Sequence, residues 1–163
     1  MQKSAKLTRH SVYQITSPLK GIAIEQANIP DDILSTTLCG TGLGIVPNVG
    51  ALYAPFDGII TDISENNSTL FLKSDFGLEL MIQIGIHTEL LDYSYFPNTL
   101  KIGDSFHRGK LLLTYDISEI QTSGYNTVCS VLIRNHKQFE ILHTYPESEI
   151  THQNTLITVS RLS

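Results

Sequence analysis

The feature that most constrains this chain is a succession of short apolar runs, each three to seven residues long and bounded by turn-forming residues. The runs are rich in isoleucine and leucine, and glycine, proline, asparagine or aspartate stands between them, as at Phe56-Asp57-Gly58. Such runs predict β-strands, here over residues 21–24, 44–46, 51–54, 58–63, 69–73, 78–84, 110–115, 130–134 and 156–159. Many short strands at this spacing predict an all-β fold, an antiparallel β-sandwich or barrel.

The composition suits one folded domain of this kind. Of the 163 residues, 41% are hydrophobic and 17% are charged, which supplies a core and is too little charge for a disordered chain. We expect a flexible segment over residues 1–12 and a single domain over residues 13–163. The net charge of −5 argues against nucleic-acid binding. No apolar run approaches the roughly 20 residues of a membrane helix and no apolar stretch follows the basic start, so we expect a cytoplasmic protein.

Two segments are predicted to form short helices. In residues 30–34 a proline is followed by two aspartates, which suit the positive end of a helix dipole. Farther along, Asp116 can cap a first helical turn, and Glu119 stands three residues later, the spacing of a capping box. We expect Gly124 to end this second helix.

The patterns that most often mark a cofactor or a metal are incomplete. The glycine-rich segment 40–44 lacks the Lys-Ser or Lys-Thr of a P-loop, and Pro47 prevents a helix from following it. No pair of the six histidines has the spacing of a helical zinc site, and Cys39 and Cys129 have no metal-binding spacing. The sequence therefore predicts no cofactor, no metal, and two free, buried thiols.

One stretch has a recognisable pattern. Residues 77–89, Gly-Leu-Glu-Leu-Met-Ile-Gln-Ile-Gly-Ile-His-Thr-Glu, resemble the active-site strand of the glucose-family enzyme IIA of the bacterial sugar phosphotransferase system. Five further blocks are similar and occur in the same order, at 17–21, 40–42 with Pro47, 54–58, 102–104 and 131–135. The resemblance runs from about Ile15 to the C-terminus. It implies an antiparallel β-sandwich with little helix, in agreement with the strand pattern.

The resemblance also implies a function. An enzyme IIA takes a phosphoryl group from the carrier protein HPr onto a histidine and passes it to the IIB domain of a sugar permease. In some bacteria the unphosphorylated form also binds and inhibits permeases and kinases. The expected partners of this chain are therefore proteins: HPr, a permease IIB domain or a regulatory target. The protein would dock on a membrane permease without spanning the membrane.

This sequence departs from the family pattern at the positions that carry the chemistry. The family's acceptor histidine falls on Gln83, its partner histidine on Ser68, and the aspartate four positions after the acceptor on His87. Ser64 and Glu89 replace apolar residues of the docking face. The resemblance assigns six residues to that face: Ile33, Leu34, Leu38, Ser64, Met81 and Glu89.

The substitutions remove the usual relay. A glutamine amide nitrogen has its lone pair delocalised into the carbonyl, so Gln83 is not a nucleophile at neutral pH. Ser68 has no evident base beside it, and an unactivated hydroxyl is a weak acceptor. Both residues are also poor ligands for the zinc ion that the family's histidine pair can share with a partner. Losing both members of a catalytic unit favours lost phosphocarrier function.

Three hypotheses follow. The first is a degenerate enzyme IIA-like protein that binds or regulates a partner without a phosphohistidine. The second is an active phosphocarrier with His87 as a relocated acceptor, because positions 83 and 87 share a face in a regular strand, unless Gly85 bends it. The third is a diverged sandwich with an unrelated role, such as a zinc peptidase, although the necessary His/Asp/His ligand motif is not found.

Overall fold

The computed structural model describes residues 11–162, which fold into thirteen strands and one α-helix. The first seven strands are β1 (Val12–Thr16), β2 (Gly21–Glu25), β3 (Thr41–Pro47), β4 (Ala51–Tyr53), β5 (Gly58–Ile63), β6 (Thr69–Ser74) and β7 (Glu79–Gln83). The remaining elements are β8 (Ser105–Phe106), β9 (Leu111–Thr114), α1 (Ile117–Thr122), β10 (Cys129–Ile133), β11 (Phe139–Thr144), β12 (Glu149–Ile150) and β13 (Thr155–Arg161).

The strands form three antiparallel sheets. The largest has eight strands in the order β12-β2-β3-β10-β7-β6-β5-β8, a second has the order β1-β13-β11, and β4 pairs with β9. In the three-stranded sheet, Val12 lies opposite Ser160. In the large sheet, Gln83 of β7 lies between Thr69 of β6 and Ser130 of β10. The all-β antiparallel fold with little helix is therefore confirmed.

Side-chain alternation on the large sheet separates two apolar layers. Leu80 and Ile82 of β7 point into the main core, which the other sheets cover. Met81, between them, points to the opposite face and belongs to a smaller apolar cluster. Ile29 and Leu34, from the connection between β2 and β3, pack on this outer face. The connection thus covers part of the sheet next to the last residue of β7.

Each of the nine predicted strands overlaps an observed one. The helix predicted at Asp116 is also confirmed, because the Asp116 carboxylate accepts a hydrogen bond from the backbone N–H of Glu119 at 3.2 Å. Gly124 follows the helix with a φ of 88°. In the described range no helix has the length and apolar character that a membrane crossing requires. Both thiols are free, although Cys39 is only half-buried.

The helix predicted over residues 30–34 is wrong. Asp31 caps a single turn, its Oδ1 accepting from the backbone N–H groups of Ile33 and Leu34 at 2.8 Å. The turn does not propagate, because the Gln26 side-chain amide binds the carbonyls of Leu34, Thr36 and Gly40 at 2.8–3.1 Å. Of the flexible segment expected over residues 1–12, residues 1–10 lie outside the described range, and Val12 already belongs to β1.

Candidate functional site

The end of β7 presents Gln83 on the outer face of the large sheet. The strand stops there because Gly85, two residues later, has a φ of 75°, which takes the backbone out of the extended region. The half-buried Gln83 side chain donates a hydrogen bond from Nε2 to the Gly85 carbonyl at 3.2 Å. Gln83 therefore closes the turn that follows its own strand.

A cavity of about 400 Å³, here called the central cavity, opens beside Gln83. Seven of the nine residues that the sequence singled out line it: Ile33, Leu34, Ser64, Met81, Gln83, His87 and Glu89. Three further lining residues, Asp31, Thr69 and Phe71, were not singled out as site residues. The pairing of β6 with β7 could have indicated two of them, because Thr69 lies opposite Gln83 and Phe71 lies opposite Met81. Asp31 comes from a distant turn, and no local sequence pattern indicates its place.

Ser68 does not line the central cavity. Its side chain is fully buried, and its hydroxyl donates to the Asn66 carboxamide oxygen at 2.7 Å. The Asn66 amide nitrogen in turn donates to the carbonyls of Thr88 and Leu91 at 2.7 and 2.9 Å. The Ser68 hydroxyl is therefore part of a polar network that joins the β5–β6 turn to the segment after β7, and it has no exposed surface.

His87 lies at the rim of the central cavity in a left-handed backbone conformation, with a φ of 60°. Its Nε2 is 3.7 Å from an Asp31 carboxylate oxygen, and its Nδ1 is 3.9 Å from one of Glu89. The expected strand alternation between positions 83 and 87 does not hold, because β7 ends at Gln83. The turn nonetheless carries His87 to the same cavity as Gln83.

Two further cavities flank the central one. A cavity of about 470 Å³ shares Ser64 and Glu89 with it and is also lined by Glu65, Asp92 and Tyr93. The backbone N–H of Ser94 donates to the Asp92 carboxylate at 2.8 Å and lowers the pKa of this carboxyl. Acidic groups therefore extend from Asp31 across the rim to Asp92.

The cavity on the other side is about 450 Å³ in volume and includes Leu38, the ninth of the singled-out residues. The Leu38 side chain is 81% exposed. In this cavity the Arg134 guanidinium lies 4.9 Å from the centre of the Phe71 ring, a distance at which the cation and the ring attract each other. Leu38 is thus separate from the central cavity but adjoins it through Phe71 and Met81.

Within residues 11–162 no group of three or more histidine, cysteine, aspartate or glutamate side chains could hold a metal ion. The cavity combines apolar side chains, of which Ile33 is exposed while Leu34 and Met81 are buried, with the Gln83 carboxamide and the carboxylates of Asp31 and Glu89. Such a surface can dock another protein. The carboxamide provides a hydrogen-bond donor and acceptor but no nucleophile.

The sequence of residues 13–139 matches the family described as "phosphoenolpyruvate-dependent sugar phosphotransferase system, EIIA 1". The chain is 32% identical over 148 residues to the PTS system beta-glucoside-specific EIIBCA component of Halalkalibacterium halodurans. This match covers 91% of this chain and 23% of that protein. It is 29% identical over 130 residues to the PTS system glucose-specific EIIA component of Staphylococcus epidermidis, covering 80% of this chain and 78% of the relative.

The chain spans about a fifth of the length of the first multi-component relatives that it matches. Among solved structures, glucose permease IIA from Mycoplasma capricolum has a TM-score of 0.85 to this chain. The match covers 91% of this chain and 96% of that one at 17% identity. This likeness confirms the sandwich architecture expected from the short-strand pattern.

Proposed function

Since this chain belongs to the enzyme IIA family of the phosphoenolpyruvate-dependent sugar phosphotransferase system, we propose that it is a degenerate member that binds or regulates a protein partner without carrying a phosphohistidine. The observation that carries the proposal is the side chain at the end of β7. Gln83 lines the central cavity and presents a carboxamide there. By the resemblance of residues 77–89 to the family's active-site strand, this is the position of the acceptor histidine. A carboxamide nitrogen does not accept a phosphoryl group at neutral pH.

The burial and hydrogen bonding of Ser68 support the same proposal. Its hydroxyl is fully buried and donates to Asn66. A phosphoryl donor would first have to open this network, and no general base contacts the hydroxyl, whose neighbours are Asn66 and Ser64. These observations support our proposal that neither Ser68 nor Gln83 replaces the family's histidine pair as a phosphoryl acceptor.

His87 is the second candidate, as a relocated phosphoryl acceptor. The observation in its favour is that its exposed imidazole lines the central cavity together with Gln83. Its two nearest charged groups, Asp31 and Glu89, count against this role, since carboxylates 3.7 and 3.9 Å away repel an incoming phosphoryl group. The binding function is therefore the better-supported one.

The partners that fit this proposal are proteins of the same transport system. HPr, the IIB domain of a sugar permease, or a regulatory target would dock on the face that the resemblance assigns to Ile33, Leu34, Leu38, Ser64, Met81 and Glu89. Several relatives are named as fused EIIBCA or EIICBA components, with beta-glucoside or glucose in their names. We propose a cytoplasmic location, with docking on a permease at the membrane, and no role in nucleic-acid binding.

A reconstituted relay tests the phosphoryl part of the proposal. Radiolabelled phosphoenolpyruvate, enzyme I and HPr are incubated with this protein, and the Staphylococcus epidermidis glucose-specific EIIA serves as the positive control. We expect no label on this chain. Stoichiometric acid-labile phosphate would contradict the proposal. If His87→Ala removes that label and His107→Ala does not, His87 is the acceptor.

Site-specific cross-linking tests the docking part. A photo-crosslinking amino acid replaces Ile33, which is 54% exposed in the central cavity, and in a matched variant replaces Ile22, which is 45% exposed on β2. The probes are purified HPr and the IIB domain. We expect a cross-link to one of them from position 33 and none from position 22. Equal cross-linking at both positions, or none at either, would contradict docking of these proteins on this surface.

A further inference from the structure

A small cavity lies where β1 meets three connections of the sandwich. Its volume is about 190 Å³, and its lining residues are Tyr13, Phe56, Asp57, Asp75, Phe76 and Arg108. It shares no lining residue with the central cavity. Asp57 directly precedes β5 and Ser64 of the central cavity directly follows it, so the two cavities stand at opposite ends of this six-residue strand, about 20 Å apart.

Aromatic rings form the apolar part of the small cavity. The rings of Tyr13 and Phe76 are stacked, with their centres 3.9 Å apart and their planes 3° from parallel. The buried ring of Phe56 meets the Phe76 ring edge-on at 6.0 Å. The Arg161 guanidinium donates to the Phe76 carbonyl at 2.7 Å. Tyr13 and Phe76 are held by these contacts and stay half-buried, so they offer a ligand a firm apolar surface.

Two carboxylates and a guanidinium form the polar part. The Asp57 carboxylate accepts a hydrogen bond from the backbone N–H of Arg108 at 2.8 Å, which lowers the pKa of this carboxyl. The Arg108 guanidinium donates to the Gln14 carbonyl at 2.7 Å through one of its nitrogens, and a guanidinium has further N–H groups. The backbone N–H of Asp75 donates to the Asp57 carbonyl at 3.0 Å, which joins the two turns. The side chains of Asp57, Asp75 and Arg108 are exposed at the cavity.

A ligand that matches these groups has to donate and accept hydrogen bonds at neighbouring atoms. An ionised carboxylate only accepts and a guanidinium only donates. A simple cation therefore leaves Arg108 unmatched, and a simple anion is repelled by Asp57 and Asp75. A hydroxyl group donates and accepts, so adjacent hydroxyls can bind a carboxylate and the guanidinium together.

The aromatic rings and the volume narrow the ligand further. A sugar ring carries hydroxyls around its edge and apolar C–H groups on its faces, and these faces suit the rings of Tyr13 and Phe76. A zwitterionic amino acid also matches both charges, but it lacks such a face. The cavity has the volume of about six water molecules, which is room for one sugar ring and not for a chain of them.

We propose that the small cavity binds a single pyranose sugar, with its hydroxyls on Asp57, Asp75 and Arg108 and one of its C–H faces on the rings of Tyr13 and Phe76. The site goes beyond the docking function proposed above and does not depend on it. A ligand of about 12 non-hydrogen atoms in an open site binds weakly, and we expect a dissociation constant of about 1–10 mM.

Titration with two neutral methyl glycosides tests the proposal. The probes are methyl α-D-glucopyranoside and methyl α-D-galactopyranoside, whose rings cannot open, and shifts of backbone amide signals in nuclear magnetic resonance spectra report where they bind. We expect at least one of them to shift the signals of Asp57, Asp75 and Arg108 with the stated affinity, and to leave those of Gln83 and Glu89 unchanged. Glycerol, which has no ring, and L-alanine, which is zwitterionic, should each bind at least about fivefold more weakly.

Variants assign the binding to the small cavity. Tyr13→Leu removes an aromatic ring, and Asp75→Asn replaces an exposed carboxylate without changing its size. Each should weaken binding of the glycoside at least about fivefold. The matched controls are Tyr145→Leu and Asp32→Asn, at exposed residues outside this cavity, and both should keep the original affinity. Circular dichroism establishes that each variant is folded.

Four results would overturn the inference: no saturable shift with either glycoside, shifts centred elsewhere on the protein, equal binding of glycerol or L-alanine, or an affinity that neither Tyr13→Leu nor Asp75→Asn changes. The assay contains no phosphoryl donor and no partner protein. If HPr or the IIB domain cross-links at position 33 and neither glycoside binds, only this inference fails. If a glycoside binds as expected while the chain accepts phosphate, only the proposed function fails.

Discussion

At the scale of single residues, two buried serines of the site region differ in one respect. Ser68 and Ser130 are both fully buried. The Ser68 hydroxyl donates to Asn66 at 2.7 Å, whereas the Ser130 hydroxyl, opposite Gln83 in the sheet, has no hydrogen-bond partner among the described residues. A buried hydroxyl without a partner costs stability, and one with a partner contributes to it.

Replacing each serine with alanine measures that difference. We expect Ser68→Ala to lower the free energy of unfolding by about 1–2 kcal/mol, because Asn66 loses a donor. Ser130→Ala should leave it unchanged or raise it by up to about 1 kcal/mol. Urea unfolding of both variants provides the measurement. Equal destabilisation would mean that Ser130 makes a hydrogen bond equivalent to that of Ser68.

Histidines introduced at positions 68 and 83, where the resemblance locates the family's histidine pair, test the proposal that this chain is a degenerate member. In the reconstituted relay, the variant Ser68→His with Gln83→His should accept some phosphate from HPr, more slowly than the Staphylococcus epidermidis protein. Adding Glu89→Val should raise the rate further, and more at low salt, because it removes a carboxylate from the rim. A histidine at position 68 enters a fully buried site, so overpacking of about 1–3 kcal/mol accompanies it.

The double variant Gln83→His with Glu89→Val is the matched control for that cost, because it leaves Ser68 in place and position 83 is only half-buried. Circular dichroism establishes that each variant is folded. A folded triple variant that accepts no label would show that the interface has changed beyond these positions.

At the scale of elements, the turn after β7 brings His87 to the cavity that Gln83 also lines. The backbone of Gly85 has a φ of 75°, and a Cβ there would lie 2.5 Å from the Thr88 side chain and 3.1 Å from the Asn126 carbonyl. Gly124, after α1, has a φ of 88° with nothing within 4 Å of a Cβ position. The two glycines share their conformation and differ in the space around them.

We therefore expect Gly85→Ala to cost about 2–4 kcal/mol and Gly124→Ala about 1–2 kcal/mol. The left-handed conformation penalises both variants, while only the first adds a clash. Thermal and urea unfolding give the two values. Equal costs would indicate that the turn after β7 relaxes freely, in which case His87 is not held at the cavity rim by its backbone.

The same elements mark the limit of what the sequence predicts. Apolar strands such as β7, and α1 with its capping aspartate, follow from the local sequence pattern. The strands β8 and β12 have two residues each, too few for any periodicity, and they exist because β5 and β2 offer them backbone partners. Asp31 lies at the cavity because Gln26 and the packing of Ile29 and Leu34 hold its connection against the sheet. Sequence spacing contains no record of such long-range contacts.

At the scale of the whole molecule, the core holds two groups that resist ionisation. Burial, with the neighbouring Cys129, raises the pKa of Tyr115 well above its ordinary range. Burial raises the pKa of the Cys129 thiol to about 11. The Tyr115 hydroxyl and the Cys129 sulfur are 3.6 Å apart inside the sandwich. In the unfolded chain both groups would ionise at a lower pH.

The fold should consequently lose stability in alkaline solution. The unfolded state releases the Cys129 proton above about pH 9 while the folded state keeps it to about 11. Over that range the free energy of unfolding should fall by about 1.4 kcal/mol per pH unit for each group that ionises only when unfolded. Urea titrations from pH 7 to 10.5 measure this slope.

Variants separate the contributions of the two groups. Cys129→Ala should flatten the slope, although its cavity lowers stability at every pH. Tyr115→Phe should flatten the slope at its upper end. A slope that both variants share with the unchanged protein would assign the alkaline transition to other groups.

The pairing of β1 with β13 has a consequence for how the chain is made. Val12 lies opposite Ser160, 148 residues farther along the chain (160 − 12), so β1 leaves the ribosome well before its partner strand β13. At about 5–20 residues per second, β1 waits roughly 7–30 s for β13. During that time it exposes a strand edge that chaperones or neighbouring nascent chains can occupy. Slowing translation between β1 and β13 should therefore increase misassembly of this protein, and faster translation of that stretch should reduce it.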